Sequence, residues 1–422
     1  MADPGRDQRR PAADHTSIGE LIRDRAWRRW TLSSFLARLP ITMALIGLVL
    51  AGEASAGSLA VGARLAGVTT FCAGLAGPLR GRQMDRGELR TGLQRNCLLT
   101  GAVSAAFAVC VILRVHVVFL YALCPCLGYS FSGTVGGFRA LLAAAVNADS
   151  RHRAHFVESL MVEASWAAGP LLATILAELG GAVAVLLGMA AAATLAAVSL
   201  LGVVRSRPQP RPRSHILRNY PDIRVLVGLA FCLGLGFGIF ESNVPLRMPQ
   251  YGLSPDLGGL FVLLLAIGSV TGGIYVSLRP IRREHTLWKA SALFSVFTLL
   301  MLPSILASSA AGFAACLLFA SLMLVPVNGL GTSELEARIG ETQRAEAFSC
   351  LQAATMIGGG IGAILNGILA PLGAWKVPFI TVGLFSLLAG GLAVAARLAD
   401  RRSWPAKVAV PKRSLPGSGW LR

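Results

Sequence analysis

The sequence predicts an all-α membrane protein of twelve transmembrane helices, arranged as two bundles of six. Three observations carry this. The 422 residues are 54% hydrophobic and only 14% charged, with 47 glycines, and the mean hydropathy is +0.62. A soluble domain carries about 25% charged residues, so this chain lacks the polar surface to cover a water-soluble globule. Composition therefore excludes an ordinary soluble enzyme and a disordered protein alike. Apolar runs near the length that crosses a bilayer, about 20 residues, recur twelve times, and a polar segment divides them six and six.

The spans follow in order. The first, 32–51, is interrupted only by Arg38, and the second, 58–79, only by Arg64. The third is 94–113. The fourth, 117–142, is diluted by Gly, Ser and Pro and carries Arg139. The fifth, 156–177, carries Glu158 and Glu163, and the sixth, 181–204, no charge at all. Residues 205–224 then hold four prolines and six arginines, the composition of a solvated linker. The second set is 225–247 with Glu241, 257–278, 287–307, 310–332 (again diluted by Gly, Ser and Pro), 346–369 and 375–397. None shows the period-2 alternation of barrel strands. The implied domains are a tail, 1–31, ending in an interfacial helix around Ile18–Trp30; a bundle, 32–204; the linker, 205–224; a second bundle, 225–397; and a tail, 398–422.

The chain is also basic, with a net charge of +18. On this topology 33 of the 39 basic residues fall in the segments or span ends on one side of the membrane, three on those of the other (Arg114, Arg247, Lys376), and three, Arg38, Arg64 and Arg139, lie further inside spans. The positive-inside rule then sets both termini in the cytoplasm, in a cytoplasmic membrane. Charge spread over seven segments of one membrane face suits anionic lipid heads, and no nucleic-acid partner is expected. Arg28-Arg29 before an apolar run, with Ala54-Ser55-Ala56 after it, imitates an export signal, but the run is too long and further spans follow. The eight cysteines lie in or beside spans, as small packing residues do. Cys124-Pro125-Cys126 is the one pair with metal-site spacing, and no phosphate-binding loop accompanies it. No metal, cofactor or catalytic set is expected.

The halves show weak similarity to each other, Leu79-Arg80-Gly81-Arg82 against Leu278-Arg279-Pro280, and Phe156 to Gly169 against Phe348 to Gly360. Between spans 2 and 3 lies Gly81-Arg-Gln-Met-Asp85-Arg86-Gly87-Glu88-Leu89-Arg90. In this the chain resembles the major facilitator superfamily, whose loop there reads Gly-x-x-x-Asp-Arg/Lys-x-Gly-Arg-Arg/Lys. Gly81, Asp85, Arg86 and Arg90 match; Glu88 and Leu89 depart from the pattern. The resemblance implies secondary transport by alternating access, with substrate between the halves. It also implies a gate loop in which the Asp85 carboxylate faces a helix N-terminus and latches one conformer. Span 5 carries Ser165-Trp-Ala-Ala-Gly169-Pro170-Leu-Leu-Ala173, similar to the Gly-x-x-x-Gly-Pro-x-x-Gly-Gly of the superfamily's drug–proton antiporters, with Ser and Ala in place of Gly. That tilts the expectation toward export, in the style of actinobacterial exporters.

Charges at membrane depth are expensive, about 2.5–3.5 kcal/mol each on insertion scales, and are functional candidates by default. Glu163 is the first choice for a proton or substrate site. Trp166 lies one turn away on the same face, and the alternative role for Glu163 is a fixed ion pair with Arg38 or Arg139. Glu241, with Asn243, lies in a stretch with alternate glycines that ends at Pro245, marking irregular backbone beside a path or gate. Arg38 and Arg64 are read as counter-charges to an anionic substrate group or to these two acids. Arg139, Asn328 and Asn366 complete the candidates. The expected activity is proton-coupled export of small hydrophobic or amphipathic compounds by a monomer, the proton gradient supplying the energy. A metabolite importer and a non-transporting scaffold or sensor stay open beside it.

Overall fold

The structure, a computed structural model, describes residues 25–86, 88–145, 151–203, 221–278, 286–338 and 344–373, with a few positions between 376 and 391. Regular structure among these residues is helical throughout. The first half comprises α1 (Arg25–Ala56), α2 (Leu59–Arg86), α3 (Leu89–Ile112), α4 (Val117–Phe131), α5 (Thr134–Ala145) and α6 (Arg151–Ser199). The second comprises α7 (Pro221–Arg247), α8 (Gly258–Leu278), α9 (Thr286–Met301), α10 (Ala310–Ser321), α11 (Leu324–Arg338) and α12 (Arg344–Leu369). Among the described residues nine helical segments are long and apolar enough to cross a bilayer. The expected twelfth span, 375–397, lies mostly outside them.

Two local features differ from the sequence expectation. Helix α1 starts at Arg25, seven residues before the apolar run. Trp27 and Trp30 are buried in the bundle, and the Trp30 indole donates to the Phe138 carbonyl at 3.1 Å. Trp27 and Trp30 thus belong to α1, and residues 18–24 of the expected interfacial segment lie outside the described residues. The fourth span is two helices, parted at Ser132–Gly133, where Gly133 takes φ +75°, open to glycine without strain. The tenth is likewise two, α10 and α11, parted at Leu322–Met323. The same interruption in the same place of each half is what an internal duplication leaves. The break expected between the fifth and sixth spans falls at Gly180 and Gly181, where the backbone leaves helical geometry, the latter at φ 62°, and the chain doubles back. The two limbs lie side by side, since a side chain on Gly188 would strike Leu176.

Within a bilayer apolar side chains gain little by leaving lipid, so cohesion comes from close packing of small residues and from interhelical hydrogen bonds. The first half packs α1 along α6 and α2, α3 along α6, and α4 along α2. The second packs α7 along α12, α8 along α10, and α9 along α11. Each half has its own core, around Met43, Leu65, Phe107 and Met189 in the first and Phe240, Phe297, Phe313 and Leu317 in the second. Two seams join the halves, α2 against α12 and α6 against α8.

The bundle has two ends. The near end carries the start of α1 and the close of α6, tied together by Arg29, which donates to the Gly202 carbonyl at 3.2 Å. The far end carries the α1–α2 turn, the Gly180–Gly181 reversal and the passage from α7 to α8. There Arg247 closes α7. It donates to the Ala307 carbonyl at 3.1 Å and to that of Ser304, and stacks over Phe313 with 4.9 Å to the ring centroid. These carbonyls follow the end of α9, so the guanidinium staples two helix ends. We expect Arg247→Ala to lower stability by about 1–3 kcal/mol, the cost of leaving buried acceptors unmade. A fall in detergent-solubilised melting temperature checks this.

Candidate functional site

The first limb of α6 and helix α7 run in the same direction, one from each half. Their far-end portions converge on the start of α8, where Gly259 lies against Pro170 and Thr174, and Gly258 against Pro245. Partway along, Trp166 of α6 meets Phe237 of α7 edge to face, ring centroids 6.3 Å apart. This is an aromatic bridge between the halves. Glu163 lies three residues before Trp166, about 4.5 Å toward the near end. Glu241 lies four residues after Phe237, about 6 Å toward the far end. In each case the spacing keeps the acid on the face of its helix that carries the aromatic ring. Both residues are partly exposed, and neither makes a hydrogen bond or ion pair among the described residues. The bridge is therefore flanked by two unpaired acids, one from each half.

The fixed ion pair considered for Glu163 exists, but on another residue. Arg38 of α1 donates to Glu158 of α6 at 2.7 Å, their side chains being 3% and 2% exposed. Arg139 of α5 donates through Nε to both Glu158 oxygens, at 3.1 and 3.0 Å, and is itself 53% exposed. Arg38 also donates to the Ser34 hydroxyl and carbonyl. One carboxylate thus holds two guanidinium groups and ties α1, α5 and α6 together. The sequence reading placed Glu158 at the edge of its span, and so passed over the acid that Arg38 needs.

Other candidates sit in helix–helix contacts. The Asn243 amide donates to Asn366 at 3.0 Å, and the Asn366 amide donates in turn to Ser242 at 3.0 Å. Buried from lipid and water, these three polar groups clamp α7 to α12 within one half. Around them Gly358 and Gly362 meet the α7 backbone at Phe231 and Leu235, while Gly360 meets Gly67 and Phe71 of α2. Helix α12 is thus glycine-lined on two faces and wedged between the halves. In the span-5 motif Gly169 abuts Thr42 of α1 and the Pro170 carbonyl abuts Gly259 of α8. Ser165 and Ala173 are fully buried, so the motif's small residues serve close approach. Asn328 is exposed on α11.

The expected gate loop is mostly helix. Gly81, Asp85 and Arg86 belong to the last turns of α2, because Arg, Gln and Met sustain a helix. Arg90 donates to the Val203 carbonyl at 3.0 Å and to that of Leu201 at 3.4 Å, capping the end of α6 where carbonyls lack partners. Arg64 of α2 is partly buried beside Gly367 of α12 and within electrostatic reach of Tyr121. It pairs with neither acid, and its Nε has no acceptor. In the Cys-Pro-Cys stretch, Cys124 is buried and Cys126 exposed. The two thiols therefore do not converge.

Two helical halves, repeated in their helix breaks and joined along glycine-rich seams with charge at depth, form the frame of a carrier. Residues 30–340 match the family described as Major Facilitator Superfamily. The chain belongs to this superfamily. It has the all-helical architecture of that fold, with nine membrane-length helical segments among the described residues, and is a multi-pass membrane transporter. Among solved structures it is similar to a bacterial homolog of the human lysosomal transporter Spinster, in an inward-facing and occupied conformation. That match has a TM-score of 0.70 at 16% identity, covering 90% of this chain and 99% of that one. It is similar also to a mutant of the nucleoside transporter NupG, at TM-score 0.68 and 12% identity, over 87% and 98% of the two chains. A third is the human organic anion transporter MFSD10 (TETRAN), at TM-score 0.63 and 17% identity, over 87% and 99%. No curated protein matches the chain.

Proposed function

We propose that this superfamily member is a proton-coupled exporter of small hydrophobic or amphipathic compounds, acting as a monomer in the cytoplasmic membrane. The near end faces the cytoplasm in this reading, supported by its arginines (Arg25, Arg28, Arg29, Arg90 and Arg224) and the positive-inside rule. The observation that carries the reading is Glu163, a carboxyl at membrane depth without an ionic partner among the described residues, one turn from the Trp166–Phe237 bridge. An acid committed to an ion pair, as Glu158 is, is not available to cycle. Glu163 is free to take up and release a proton as the halves rock about the midplane. Trp166 and Phe237 supply an apolar, polarisable wall for a substrate, and the segment around Asp85 latches the outward-open form.

The test is accumulation of a compound panel in an efflux-deficient host, with and without a protonophore. Export lowers accumulation of some amphipathic members, and the protonophore restores it. Raised accumulation would establish import instead. An unchanged panel, with the protein demonstrably in the membrane, would favour the scaffold.

A further inference from the structure

A cavity of about 350 Å³ lies between the halves at the far end, within the range of small-molecule sites, about 300–1,000 Å³. Glu53 of α1 and Ser58 and Leu59 at the start of α2 line it from the first half. Asn243 and Leu246 of α7 and Pro371, just beyond α12, line it from the second. Its mouth is marked by Pro371 and by Gln250, both exposed. Asn243, 1% exposed, lies at its floor.

The floor carries an acceptor with nothing to accept. The Ser242 hydroxyl donates to the Ile239 carbonyl at 3.1 Å, so toward Asn366 it can only accept, from the amide nitrogen at 3.0 Å. The Asn366 oxygen then takes the Asn243 nitrogen at 3.0 Å. This order fixes which end of each amide is which, and it leaves Asn243 Oδ1 buried with no donor. A buried polar atom without a partner costs free energy and calls for a reason. The wall adds a second acceptor. Glu53 is partly exposed and makes no side-chain hydrogen bond or ion pair among the described residues. Arg247 also lines the cavity, but its three nitrogens are committed to the Gln250 oxygen and to the Ser304 and Ala307 carbonyls. Arg64, one turn deeper on α2 than the lining residue Ala60, does not reach it. The turn Pro255–Leu257, which carries a further acid in Asp256, packs against α1 and α7 at the same end. What the cavity lacks is a donor with positive charge.

We propose that this cavity binds a primary organic amine in its ammonium form: Asn243 Oδ1 and the Glu53 carboxylate take its N–H groups, and Leu59, Leu246 and Pro371 face its apolar body. An alkyl ammonium stays protonated at neutral pH, as lysine does, and its three donors can serve both acceptors at once. Glu53 and Asn243 belong to opposite halves, so a bound amine ties the halves together at this end. The site is separate from the aromatic bridge, since Asn243 lies six residues, about 9 Å, along α7 from Phe237. It does not depend on proton coupling through Glu163.

The experiment reads occupancy of the cavity. In a background without native cysteines, Ser58→Cys places a thiol of similar size in the cavity wall. The purified full chain is held in lipid nanodiscs, where both faces are open, and its labelling by a water-soluble maleimide is timed. Phenylbutylamine, phenylbutanol and phenylbutyrate are the probes, sharing one apolar body and differing in the head group. The amine should slow labelling several-fold and saturably, at concentrations where the alcohol and the acid do not. Glu53→Gln keeps the size of the side chain and should raise the amine concentration for half-protection by at least about tenfold, as loss of a charged hydrogen-bond partner does. Ala370→Phe fills the space from another lining position and should abolish protection with both acceptors still in place. Equal protection by all three probes would show an apolar pocket without preference for charge and overturn the proposal. Protection by none would leave the cavity to water and overturn it too. Protection that survives Glu53→Gln but is lost in Trp166→Ala would put the amine on the aromatic bridge instead.

Discussion

Glu163→Gln should abolish proton-driven transport and leave the protein folded in the membrane. The substitution keeps size and shape. Glu163 makes no hydrogen bond or ion pair among the described residues, so glutamine breaks nothing that holds α6. What it removes is the capacity to change charge. A carrier coupled through this group loses its energy source and retains at most downhill exchange, so the protonophore-sensitive component should fall by at least about tenfold, the equivalent of about 1.4 kcal/mol of lost coupling. Binding of substrate should survive, because Trp166 and Phe237 are untouched. The measurement is efflux from inverted vesicles under an imposed pH gradient, beside counterflow without one. Full retention of gradient-driven efflux would remove Glu163 from the mechanism and pass the role to Glu241, whose own glutamine variant is the companion. The same assay on both variants separates a coupling acid from an acid that merely lines the path.

The sequence carried the fold and only part of the site, for identifiable reasons. Apolar run length is a local property, so the spans up to residue 369 could be read directly. The Pro- and Arg-rich linker marked the division into halves. The start of the first span was legible only in part, because Trp27 and Trp30 extend α1 among arginines that look interfacial. The reversal at Gly180–Gly181 falls where the fifth and sixth spans were divided. Depth charges were legible as a set, because polarity among apolar residues is conspicuous in any window. Their partners were not. Arg38 and Glu158 are 120 positions apart, and spacing along the chain says nothing about which acid a buried arginine meets. The Asn243–Asn366 contact was hidden likewise, since the two amides lie 123 positions apart.

The larger structural effect belongs to Glu158. Its removal by alanine should cost about 3–5 kcal/mol, because breaking a buried pair leaves an uncompensated charge. Arg38 would then be 3% exposed with only Ser34 and a backbone carbonyl as acceptors. Against a total stability of about 5–15 kcal/mol, that loss is enough to empty the folded population in detergent at moderate temperature. Arg38→Met should be milder, since Glu158 keeps both oxygens on Arg139. The paired change Arg38→Met with Glu158→Leu removes both buried charges together. It should recover most of the melting temperature lost in Glu158→Ala, as apolar replacements of buried ion pairs commonly do, and Arg139, half in solvent, keeps its hydration. The expected order of melting temperatures is wild type and double variant highest, Arg38→Met next and Glu158→Ala lowest, with monodisperse yield following the same order. A double variant as unstable as Glu158→Ala would show that the cluster does more than neutralise itself. The free amino groups of Arg139 would then be the place to look, because they alone of the three residues' polar atoms are both charged and open to the surroundings.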